Sequence, residues 1–125
     1  MKTIKYRAWH KERQKYYEVF KIVFTDYGLS ITLYDEDNIE EQYIEILEDE
    51  VILEQFTGLY DKNGKEIWQG DILSMSGYPY VVIWCSRNCG FYLENKVENI
   101  QLTYHYKEFV KVIGNIHENK DLLKE

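Results

Sequence analysis

Apolar side chains in this chain recur at every second position in short runs, and each run is closed by Gly, Asn or Asp. That period belongs to strands with one face buried, whereas an amphipathic helix spaces its apolar residues three and four apart. Thr3 to Trp9 sets Ile4, Tyr6 and Ala8 against Lys5 and Arg7. Lys15 to Phe24 predicts a second strand, antiparallel to the first, with Phe20, Ile22 and Phe24 sharing a face. Asp26-Tyr27-Gly28 ends it, and Leu29, Ile31 and Leu33 alternate with Ser30, Thr32 and Tyr34 in a third.

From Asn38 to Leu53 two periods compete. Ile39, Tyr43, Ile46 and Leu47 fit a helical stripe, while Tyr43-Ile44-Glu45-Ile46 fits a strand, and a further strand from Val51 to Phe56 follows. Asn63-Gly64 between Tyr60 and Trp68 predicts a tight hairpin turn, since both residue types tolerate positive φ. Ile72 to Met75 turns at Gly77-Tyr78-Pro79 into the apolar run Tyr80 to Trp84, which makes Trp84 a core residue. Phe91 to Leu93, Ile100 to Tyr104 and Val110 to Ile116 supply further strands, and Glu118 to Glu125 a short helix with Asn119 as its N-cap. The expected fold is mainly β: an N-terminal antiparallel meander packed on a C-terminal SH3-like small β-barrel, with a short C-terminal helix.

With 125 residues and no Gly-, Ser- or Pro-rich linker, residues 1–125 read as one domain, with an N-terminal lobe over about 1–55 and a barrel-like lobe over about 56–125. No apolar run suits a signal peptide or a membrane span, and two cysteines suit free thiols, so a bacterial cytoplasm is the expected location. Net charge is −7, which argues against wrapping nucleic acid. The charge is also segregated: Asp35 to Glu54 holds ten acids and no Lys or Arg, while Lys2 to Lys21 holds seven basic residues against Glu12 and Glu18.

Four blocks carry a resemblance. They are Ile4-Lys5-Tyr6-Arg7-Ala8-Trp9; Phe56-Thr57-Gly58-Leu59 continuing through Asp61-Lys62-Asn63-Gly64-Lys65-Glu66-Ile67-Trp68 to Gly70-Asp71-Ile72; Val81-Val82-Ile83-Trp84 with Gly90-Phe91; and Val112-Ile113-Gly114-Asn115-Ile116-His117-Glu118-Asn119. In this order they resemble the YopX family of phage and prophage proteins, with His10 and Gln69 departing from acidic residues expected there. The resemblance implies a mobile-element protein and transfers no catalytic residue to any position.

The residues themselves assemble no catalytic set. Asp61 and Asp71 sit beside Gly-containing turns, where a carboxylate caps backbone amides. Cys85, Cys89, His105 and His117 match no familiar zinc spacing, and the glycines open no phosphate-binding loop, so neither metal nor cofactor is expected. The expected function is a non-enzymatic protein-interaction or assembly module that meets itself and a host or phage protein, with no membrane role. Its candidate surface is Tyr43, Ile46, Trp68, Tyr78, Glu40, Glu41 and Glu45, with the acidic stretch facing the basic N-terminal region of a neighbouring copy. The alternative is a nucleic-acid-associated regulator using the basic N-terminal meander.

Overall fold

The computed structural model describes residues 4–124. Expectations that fall on Lys2, Thr3 and Glu125 lie outside the described residues. Contacts divide the chain into two compact units, Ile4–Gln55 and the described chain from Phe56 onward. Both are built from antiparallel strands, so the chain is mainly β.

In the first unit, β1 (Tyr6–His10), β2 (Lys15–Thr25), β3 (Gly28–Tyr34), β4 (Tyr43–Leu47) and the opening of β5 (Val51–Tyr60) form a sheet in the order β4-β3-β2-β1-β5. The ambiguous acidic segment is therefore strand, a 3-10 turn at Glu48–Glu50, and strand again. Register decides its inner face. Leu33 lies opposite Ile44 and Val19, and Ile31 lies opposite Ile46 and Ile22. These side chains join Ala8, Tyr17 and Val51 in one core. Burying each aliphatic side chain contributes about 1.5–3 kcal/mol.

One break in this register matters. The β2–β3 pairing shifts between Val19 and Lys21, leaving Phe20 as the extra residue of a β-bulge. The bulge sets Phe20 and Lys21 both outward, so Phe20 does not share a face with Ile22 as simple alternation predicts. Phe24 does share the face of Ile22, but it lies near the hairpin tip and is largely exposed.

In the second unit, the end of β5 pairs with β6 (Glu66–Trp68). A five-stranded sheet runs in the order β10-β9-β8-β7-β11, comprising β7 (Asp71–Met75), β8 (Tyr78–Cys85), β9 (Gly90–Glu94), β10 (Asn99–Gln101) and β11 (Val110–Asn115). Its outer strands β10 and β11 do not pair with each other, so the expected closed barrel is not formed among the described residues. The core gathers Ile67, Leu73, Tyr80, Val82, Leu93, Leu102, Val110 and Val112.

Two local expectations in this unit also change. The β7–β8 turn falls on Ser76-Gly77, because Met75 already pairs with Tyr78. In place of a C-terminal helix there is a 3-10 turn at Lys120–Leu123; Asn119 stands at its N-cap position, but its side chain makes no capping hydrogen bond to it. Its side-chain oxygen instead accepts the Asn115 amide at 3.0 Å. Gly114 permits this approach, since a Cβ there would lie 2.6 Å from that oxygen.

Candidate interaction surface

The carboxylates that the sequence places beside turns are structural. Asp61 is buried at the mouth of the β5–β6 hairpin, where Oδ1 accepts the amides of Asn63 and Lys65, each at 2.9 Å, and Oδ2 accepts the Val112 amide at 2.9 Å. Burial pushes its carboxyl up, but the amides of Val112, Lys65 and Asn63, with the charge of Lys65, outweigh this and hold it below its ordinary value. Asp71 is also buried and accepts the Trp68 amide at 2.8 Å. Both are occupied in holding backbone.

The basic N-terminal strands and the acidic segment meet within one chain. Arg7 and Glu54 are direct neighbours across β1 and β5; Arg7 Nε donates to Glu54 Oε1 at 2.9 Å. Tyr16 donates its hydroxyl to the same oxygen at 2.8 Å, and the Arg7 guanidinium lies 4.1 Å from the centre of the Tyr16 ring. Lys15 reaches Asp35 at 3.5 Å, and Lys11 donates to the Asp49 carbonyl at 2.9 Å. Arg7 and Lys15 of the basic segment thus find acidic partners inside the first unit.

The expected surface residues separate into different environments. Tyr43 and Glu45 are exposed on the outer face of β4, and Glu40 and Glu41 are exposed in the loop before it. Ile46 points the other way and is buried in the core, so it offers no docking surface on the folded unit. Trp68 and Tyr78 belong to the second unit. Trp68 is half-buried with its ring 5.4 Å from that of Phe56, and Tyr78 is exposed beside a groove of about 470 Å³ that Pro79, Val81, Val97 and Leu123 also line. Trp84, expected in the core, is 45% exposed on β8 with its ring edge-on to Phe91. It lies near the strand's end, where the register with β9 reaches Cys85 and Gly90.

The bulge supplies the surface residue that alternation misses. Phe20 projects onto the outer face of the first sheet, 59% exposed, with its ring 4.9 Å from that of Tyr43. Tyr43 in turn lies 5.3 Å from Tyr34. Phe20, Lys21, Thr32, Tyr43 and Glu45 line an open depression of about 460 Å³. The sequence does hold a trace of this. The inward set steps from Tyr17 and Val19 to Ile22 across three residues, while the partner set Leu29, Ile31 and Leu33 keeps strict steps of two.

Two mainly β antiparallel units, with turn-capping carboxylates in the second, define the class of protein. The family model described as YopX protein matches residues 5–124, and the chain belongs to the YopX family. It is similar in fold to the crystal structure of protein EF1440 from Enterococcus faecalis, at a TM-score of 0.69 and 24% identity, covering 99% of this chain and 100% of that one. The search of curated proteins finds no match. Among the described residues no helix is long and apolar enough to cross a membrane.

Proposed function

We propose that this YopX protein is a phage- or prophage-associated, non-enzymatic assembly module that pairs with a second copy of itself through the outer face of its N-terminal sheet. The observation that carries the reading is the bulge at Phe20. It sets Phe20 and Lys21 side by side on the outer face, where Tyr43 and Tyr34 already stand. Bulges re-aim side chains, and contiguous exposed aromatic rings mark interaction surfaces.

The same patch carries Lys21 and Glu45. In a two-fold arrangement the Lys21 of one copy meets the Glu45 of the other, so the patch is complementary to itself. Exposed ion pairs contribute about 0–1 kcal/mol each, so the aromatic rings supply most of the affinity and the charges set orientation. The nucleic-acid alternative is not favoured, because Arg7 and Lys15 of the basic meander are paired with Glu54 and Asp35.

Size-exclusion chromatography with light scattering tests the reading. Phe20→Ser with Tyr43→Ser shifts the protein to monomer without changing its circular dichroism, and Lys21→Glu does the same to a lesser degree. An assembly that survives the double substitution contradicts it.

A further inference from the structure

We infer that the free edge of β4 takes up an extended, lysine- or arginine-bearing segment of another protein as an added antiparallel or parallel strand. The inference rests on reading the protein as an interaction module and names a second surface on it. The Asp35 amide donates to the Gln42 carbonyl at 2.7 Å, which makes that pair one of the closely bonded pairs of the β3–β4 ladder. By alternation the next such pairs are Leu33 with Ile44 and Ile31 with Ile46. The backbone groups of Tyr43, Glu45 and Leu47 therefore point away from β3, to a side where no strand pairs among the described residues. Leu47 agrees with this: its amide is met from outside by the Glu50 carboxylate at 3.0 Å. Tyr43 and Glu45 keep an outward N–H and C=O as a template for a further strand.

The contrast with the second unit is informative. There the outer strand β11 has its edge engaged, with Val112 donating to Asp61 and Val110 accepting from Lys62 at 3.0 Å. At β4 the edge is left open and its surroundings choose the partner's charge. Glu40 and Glu41 precede the strand, Glu48, Asp49 and Glu50 follow it, and no Lys or Arg occurs from Asp35 to Glu54. A second β4 is a poor occupant, since antiparallel self-pairing about the strand centre would oppose Glu45 to Glu45. A basic strand gains both ladder hydrogen bonds and charge attraction.

The test uses the full chain and a fluorescent ten-residue peptide alternating lysine with valine, read by anisotropy. Binding that strengthens as salt is lowered is expected. The same peptide with alternate backbone nitrogens methylated keeps its charge and should bind at least tenfold more weakly. Glu45→Pro removes one outward donor without touching the β3–β4 ladder and should weaken binding about tenfold or more. Equal binding of the methylated peptide, unchanged binding by folded Glu45→Pro, or no binding of the parent peptide at millimolar concentration overturns the inference. If Glu45→Pro does not fold, the methylated peptide decides. A chain that stays monomeric yet binds the peptide contradicts the assembly reading alone, and one that assembles but ignores the peptide contradicts this inference alone.

Discussion

Asp61 and Val112 lie 51 residues apart in sequence, and the Val112 amide donates to the buried Asp61 carboxylate at 2.9 Å. One side chain thereby ties the β5–β6 hairpin to the outer edge of β11, while its other oxygen holds the turn at Asn63 and Lys65. Removing it leaves three amides without that acceptor. Asp61→Ala should destabilise the protein by about 3 kcal/mol or more, and Asp61→Asn by about 1–3 kcal/mol, because its amide group faces the Val112 N–H. Urea unfolding followed by fluorescence measures both.

The same carboxylate gives stability a pH dependence. Its folded-state pKa is lowered, whereas an unfolded aspartate titrates at about 3.9. The unfolded chain therefore takes up the proton first as pH falls. The contribution is fully present above the unfolded pKa and is lost as pH falls through the folded one. The stability gap between wild type and Asp61→Asn should narrow steadily below about pH 4. A gap that widens there contradicts the assignment.

Gly64 has a φ of 80° at the tip of the same hairpin, and a Cβ added to it would meet nothing within 4 Å. Any penalty is then backbone strain and not a clash. Gly64→Val should cost about 1–2 kcal/mol and leave the core unchanged, a loss visible as a lower thermal midpoint.

Glu54 is 2% exposed and accepts from both Arg7 and Tyr16. Glu54→Ala removes the buried carboxylate to which both Arg7 and Tyr16 donate, and Arg7 retains some access to water. A loss of about 2–4 kcal/mol is expected, larger than for Lys15→Ala at the more exposed Asp35 pair, where about 0–1 kcal/mol is at stake. Denaturant titration of the two variants side by side gives the comparison.

Trp84 shows where an apolar run misleads. Tyr80 and Val82 of that run are buried, but Trp84 lies half in solvent near the strand's end, with its ring in T-shaped contact with Phe91. Trp84→Ala should therefore cost about 1–2 kcal/mol, below the roughly 3–5 kcal/mol of a fully buried tryptophan.

These cases mark what sequence patterns could and could not reveal. Turn chemistry is local, so the hairpin at Asn63-Gly64 and the capping role of Asp61 were legible, although Gly64 is the residue of the two that takes positive φ. Alternation also located most strands. It misplaced Phe20, since a bulge shifts the phase within a strand; helical spacing groups Ile46 with Tyr43, whereas strand alternation sets the two on opposite faces and Ile31 and its neighbours bury Ile46. Barrel closure depends on pairing between distant strands, and no local pattern at β10 or β11 reports whether they meet. The meeting of Arg7 with Glu54 is likewise a product of β1–β5 register, which the segregation of charge along the chain does not report.

Sedimentation equilibrium across a concentration series, at moderate salt and reaching tens of micromolar, tests the assembly claim most directly. The account predicts a mass above the monomer that falls to the monomer for Phe20→Ser with Tyr43→Ser. A wild-type monomer throughout would mean association weaker than roughly 6–7 kcal/mol and would contradict it.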